Sequence, residues 1–201
     1  IAAETNIPLA AMRNPDDIDP GRWNVLNDFY GKLESAPLYI DDSPNMSLME
    51  IRAKCRRLKQ TQGLKLVVID YLQLMSSGKQ VESRQQEVSE FSRALKLLAK
   101  ELELPVVALS QLNRNSETRN DRKPQISDLR ESGSIEQDAD CVMFLFRDEY
   151  YKTDTANDTE GNIAEVIVAK NRHGSTGTVK VGWIGRYTKF RSIAESGSVP
   201  E

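Results

Sequence analysis

The chain has 201 residues, 28% of them charged and 39% hydrophobic, with a formal net charge of −3. This is the composition of an ordinary globular protein with room for one sizeable core. The mildly acidic balance excludes a globally basic nucleic-acid binder, so a polyanion site has to be a local patch. No apolar segment approaches membrane-spanning length and no signal peptide opens the chain, so a cytoplasmic protein without a membrane partner is expected. Cys55 and Cys141 lie far apart without metal-ligand spacing and read as small apolar side chains in a reducing compartment. The first residue is Ile1 rather than Met, which reads as a fragment of a longer protein.

In chain order, Asp19 and Pro20 predict a helix start, with Trp23, Leu26, Phe29, Tyr30 and Leu33 following at helical spacing. Pro37 ends that helix, and Leu38, Tyr39 and Ile40 predict a short strand. Ser47 and Glu50 form a capping box opening a helix with Leu48, Ile51, Cys55 and Leu58 on one face. The opposite face carries Arg52, Lys54, Arg56, Arg57 and Lys59, most simply a solvated face. After Gly63, residues 64–70 read as a strand buried on both faces, because Leu, Val and Ile run on without alternation until Asp70. A polar loop at 76–79 leads to the longest helix, 83–103, with Val88, Phe91, Leu95, Leu98 and Leu102 as its buried stripe. Pro105 stops it, and 106–111 is a second buried strand. Strand, helix and strand at these lengths predict a βαβ crossover with parallel strands. A loop rich in Asn, Arg and Asp (113–123) and a small helical or irregular unit (126–139) lead to a third buried strand, 141–146. A polar excursion at 148–162 precedes strand 163–170, a turn at 171–177, strand 178–184 and a further strand within 187–193.

Three places carry candidate chemistry. Asp70 ends a buried strand, where open α/β sheets place their ligands, and an acid there can orient the water shell of Mg²⁺. Gln111 ends the neighbouring strand, where a glutamine can hold an attacking water or sense a γ-phosphate. Lys170 and Arg172 sit on the hairpin turn. An arginine suits a phosphoryl transition state, but by pattern alone an ordinary solvated turn is the simpler reading. His173 reads as loop surface. The polar stretch 127–140 includes Arg130, Glu131 and Gly133. Gly133 permits close approach of a backbone, but the acidic side chains argue against a simple electrostatic grip and leave the role open.

Taken together, the stretches IRAKCRRLKQ, LVVIDYLQLM, SRQQEVSEFSRALKLLAKELELPVVALSQLNR, SDLRESGSIEQDAD and AKNRHGSTGTV resemble the C-terminal motor domain of bacterial replicative DNA helicases, the DnaB family. The resemblance runs over about residues 38–193. It implies an α/β, RecA-like parallel sheet flanked by helices with a C-terminal antiparallel hairpin, truncated on its N-terminal side. Residues 1–37 would be a helical lead-in, 38–147 the α/β core and 163–193 the C-terminal strands. The resemblance further implies a homohexamer, ATP with Mg²⁺, single-stranded DNA as track, and a primase and helicase loader as partners at the nucleoid. Under it, Asp70 is the Walker B acid, Gln111 the γ-phosphate sensor, Arg172 the arginine finger with Lys170 beside it, and Arg130, Glu131 and Gly133 the DNA-holding segment.

A phosphate-binding loop of form G-x-x-x-x-G-K-[ST] is absent from the sequence. The pairs Gly31-Lys32 and Gly78-Lys79 are followed by Leu33 and Gln80, so neither qualifies. A chain without those amides and that lysine is not expected to hold or hydrolyse ATP tightly alone. The alternatives are another RecA-like ATPase, such as a recombinase or clock ATPase, and a non-catalytic module that has lost its phosphate loop.

Overall fold

The computed structural model describes residues 1–43, 46–75, 83–113, 119, 121–147 and 162–193, the side chains of 130–132 and 162 excepted. The polar segments expected at 76–79 and 148–161, and positions 114–118 and 120 of the loop after the second strand, lie outside the described residues. The helices are α1 (Ala2–Thr5), α2 (Leu9–Arg13), α3 (Trp23–Glu34), α4 (Leu48–Gln62), α5 (Arg84–Leu102) and α6 (Gly133–Asp138). The strands are β1 (Val67–Ile69), β2 (Val106–Ala108), β3 (Cys141–Phe146), β4 (Asn162–Asn171), β5 (Gly177–Ile184) and β6 (Lys189–Ser192). Contacts divide the described residues into two compact units. One lies within Ile1–Asp41, Leu145–Ile167 and Thr178–Glu201, the other within Asp42–Phe144 and Val168–Gly177.

The second unit is built on local rules the sequence states openly. Ser47 Oγ accepts the Glu50 N–H at 3.3 Å while the Glu50 carboxylate accepts the Ser47 N–H at 2.8 Å, which starts α4. It ends at Gly63, whose φ of 68° is the left-handed conformation that closes helices. Ser83 caps α5, and Val88, Phe91, Leu95, Leu98 and Leu102 are all buried along its length. Phe91 is fully buried in a core shared with Ile51, Cys55, Leu72, Met75 and Leu104. Strands β1 and β2 pair in parallel with Val67 opposite Val106 and Ile69 opposite Ala108, so the βαβ expectation holds. Burial pushes the Cys55 thiol pKa up, as befits an inert apolar side chain.

Two expectations for the sheet need correction. Strands β1 and β2 are covered on one face only: Val67, Ile69 and Val106 pack on the core, whereas Leu66, Val68, Val107 and Leu109 are exposed, Val68 by 58%. An unbroken aliphatic run reports residues suited to two covers, and α4 and α5 supply one. The third strand, β3, belongs to a different sheet of order β3-β4-β5-β6, and its residues alternate between exposed and buried. Cys141 is accordingly exposed, not packed.

In the first unit, Asp19 accepts the Gly21 N–H at 2.8 Å and starts a short 3-10 turn that runs into α3. Of the expected α3 stripe only Leu26 is buried, in a small core with Ile7, Ala11 and Ile18, while Trp23 and Tyr30 stay exposed. A core this small has no room for a full stripe. The strand expected at 38–40 is not formed: the backbone there is irregular, and Ile40 is 83% exposed. Strands β5 and β6 are antiparallel, with Trp183 opposite Phe190 and their rings 4.6 Å apart. The Arg147 guanidinium lies 5.1 Å from the centre of the Trp183 ring.

Candidate functional site

Asp70 directly follows β1 and is exposed at the strand exit. Its surroundings are set by the continued ladder: the Leu109 N–H donates to Ile69 O at 2.9 Å, and the Leu72 N–H donates to Leu109 O at 2.9 Å. The two exits are thus fastened on either side of Asp70, and Gln111 leaves the neighbouring exit. Beyond the main-chain ladder, Gln73 takes over, its side chain bonding to Ser110 and to the Gln111 main chain. The peptide bond from Asp70 to Tyr71 is cis. The structure therefore brings Asp70 and Gln111 to neighbouring exits of one parallel pair.

Lys170 and Arg172 occupy a second corner of the same unit, at the end of β4. The Lys170 ammonium donates to the carbonyls of Glu136 and Gln137. The Arg172 guanidinium donates to Gln137 O at 3.3 Å and pairs with Asp140 at 3.2 Å, while the Arg172 main-chain N–H donates to Asp140 O at 2.8 Å. Both cations therefore sit at the C-terminal end of α6, the negative end of its peptide dipoles. Lys96 is the first cause of a lowered Asp140 pKa, with Arg172 contributing through its charge. Within the turn, Asn171 donates to Ser175 O at 3.3 Å and accepts the His173 N–H at 3.3 Å, drawing its amide over Gly174. A Cβ at Gly174 would meet that amide nitrogen at 2.6 Å, so any larger residue there displaces the Asn171 side chain. His173 is exposed, as expected of loop surface.

Between these corners in sequence lies the polar stretch. Residues Ile126–Ser132 form 3-10 turns that lead into α6, so the segment is helical rather than irregular. The side chains of Arg130 and Glu131 lie outside the described residues. Gly133 is exposed and has open space where a Cβ would stand. The segment is anchored by Asp128, only 4% exposed, whose carboxylate takes a forked pair of bonds from Arg119 and the Gln125 N–H at 2.7 Å. The Arg119 guanidinium holds the Asp128 carboxyl below the usual carboxylate range. The Asn113 N–H donates to Asp128 O at 3.1 Å, joining the chain just past Gln111 to this anchor.

Comparison with known proteins agrees with this fold. The family model described as the DnaB-like helicase C terminal domain matches residues 1–192. The chain belongs to that family. Replicative DNA helicase DnaB of Leifsonia xyli is 60% identical over 194 residues, covering 96% of this chain and 42% of the relative. The Geobacillus stearothermophilus helicase of the same name is 54% identical over the same coverage. A DnaB-like replicative helicase, solved in a study of its interactions with primase, superposes with a TM-score of 0.87 at 38% identity, covering 96% of this chain and 47% of that one. A second solved structure, an isolated ATPase domain, gives the same TM-score and identity, with 68% of it covered. The chain thus spans about a third to two-fifths of the length of the curated relatives it matches.

Sequence reasoning placed the DnaB-like strand exits and the turn but missed three features around them. Gln73 gave no signal beyond being an amide near a strand exit. Asp128 could have been noticed through its spacing from Gln125, since the two close a capping box. The Arg119–Asp128 pair spans a loop, and no periodicity reveals it. Among the described residues, no group of three or more His, Cys, Asp or Glu is placed to hold a metal, and no helix is long and apolar enough to cross a membrane.

Proposed function

We propose that this chain is the motor part of a replicative DNA helicase that couples ATP hydrolysis to movement along single-stranded DNA and to duplex unwinding. The observation that carries the reading is the emergence of Asp70 and Gln111 from neighbouring strand exits in a chain of the DnaB-like family. Asp70 is suited to Mg²⁺, which takes one or two carboxylates and keeps waters and substrate phosphates as its other ligands. A single exposed acid fits such an ion, which, when bound, neutralises charge on the phosphates. Gln111 orients the attacking water or reads the γ-phosphate through its amide. The phosphates themselves need a loop that this sequence lacks, so in this reading the complete protein supplies it elsewhere.

Lys170 and Arg172 act on the nucleotide of a neighbouring subunit in a homohexamer, exchanging carbonyl oxygens of α6 for phosphate oxygens. Arg130, Glu131 and Gly133 hold the DNA through its backbone, which suits a motor indifferent to sequence. Within this reading, residues 1–37 are the lead-in, 38–147 the α/β core and 163–193 the hairpin region. Primase and a helicase loader are its partners, in the cytoplasm at the nucleoid. In the full-length protein, Arg172→Ala is expected to abolish DNA-stimulated ATP turnover while ring assembly, read by size exclusion with light scattering, stays intact. Near-normal turnover would remove the arginine-finger role. Strand displacement by the unmodified protein separates a helicase from a recombinase-type ATPase.

A further inference from the structure

We infer that Gln73 is a positioning residue for the reaction: its side-chain amide fixes the main chain of Gln111 and so the direction in which the Gln111 side chain leaves the sheet. The inference rests on the reading of Gln111 as the residue that meets the γ-phosphate or the attacking water.

Strand β2 ends at Ala108, and the last main-chain bond of the ladder runs from the Leu72 N–H to Leu109 O. Past that point the pairing is made by one side chain. Gln73 Nε2 donates to Ser110 Oγ at 3.0 Å and to Gln111 O at 3.3 Å, while Gln73 Oε1 accepts the Gln111 N–H at 3.2 Å. A primary amide carries a donor and an acceptor side by side, so it pairs with both main-chain groups of one residue as another strand would. All of this engages Gln111 through its main chain, which leaves the role of its side chain to the nucleotide. Gln73 itself is held from behind. The Arg84 guanidinium, at the first residue of α5, donates to Gln73 O and to Met75 O. The flanking Leu72 and Met75 are buried in the core. An amide that starts from so fixed a backbone transmits the rigidity of the core to Gln111. Misplacement of a reacting group by an ångström is enough to slow chemistry severely.

The test is a double-substitution cycle in the full-length protein, following ATP turnover with Mg²⁺ and single-stranded DNA. Labelled nucleotide keeps slow variants measurable. Gln73→Ala is expected to lower kcat about tenfold, with KM changed less than about twofold. In a Gln111→Ala background the same substitution is expected to have no further effect, because a positioning residue acts only through the group it positions. A residue that merely stabilises the fold would impose its loss in both backgrounds, and that result overturns the inference. So does full turnover by Gln73→Ala when Gln111→Ala is impaired. Should Gln73→Ala fail to fold, Gln73→Glu carries the same cycle, since it keeps the acceptor for the Gln111 N–H but sets a carboxylate against Gln111 O. Normal turnover by Gln111→Ala alone is the distinct outcome that removes the role of Gln111 itself, and the positioning role with it.

Discussion

At the exits of β1 and β2, Asp70 and Gln111 are aimed by neutral hydrogen bonds standing directly on a buried core. At the turn after β4, Lys170 and Arg172 are held by charge against carbonyl oxygens and one half-exposed carboxylate. The first kind of hold is stiff, because Leu72 and Met75 on either side of Gln73 are packed in the same core as Phe91. The second kind is exchangeable, since exposed ion pairs are worth little against water. Under the proposed function, the difference suits groups that act within their own subunit against groups that reach another molecule. Both corners lie in one compact unit, so the contrast comes from local chemistry rather than from separate folds.

The sharpest way to test the stiffness of the first corner is to undermine it. Phe91→Ala removes a fully buried ring beneath it and is expected to cost about 3–5 kcal/mol in chemical denaturation. A cost of less than about 1 kcal/mol would mean that the corner does not depend on this core.

Asp128 is the intermediate case, a buried carboxylate just past the first corner. Asp128→Ala leaves Arg119 without its main partner and is expected to cost about 2–3 kcal/mol at neutral pH. Because its pKa is lowered in the folded state, its stabilisation is complete above the ordinary value of 3.8 and fades as pH falls below it. The gap between variant and parent should therefore close on acidification through that region. A gap that stays constant with pH would assign the effect to packing instead of charge.

The smallest effect is expected at the second corner. Asp140→Asn weakens the hold on both Lys96 and Arg172, yet the denaturation midpoint should stay within the resolution of the measurement. A large downward shift would break the contrast, because it would make the turn's ion pairs structural.

The helices were legible because their signals are local: the Ser47–Glu50 box, the Ser83 cap and the five-residue stripe of α5 each lie within a few turns of chain. The parallel pairing of β1 and β2 followed from the length of the connection between them. The third strand misled because a run such as residues 141–146 states that it is apolar but not which sheet it joins. Leu38 to Ile40 failed for a related reason, since β propensity alone does not make a strand. At the site, Asp70 and Gln111 were visible as polar ends of apolar runs. The bonds of Gln73 and the Arg119–Asp128 pair were not, because they join residues 38 and 9 positions apart through side chains.

The Asn171 staple bears on what Arg172 has left to lose when it meets another group. Fixing a residue's backbone removes roughly 1–2 kcal/mol of conformational entropy at room temperature. Residues 171–175 meet that loss when the chain folds, because the Asn171 amide already ties His173 and Ser175 into one shape. What remains to be ordered on contact is mainly the torsions of the Arg172 side chain itself. Under the proposed arginine-finger role, the turn therefore presents its guanidinium on a preorganised backbone, and what binding costs is the exchange of its contacts with Gln137 O and Asp140.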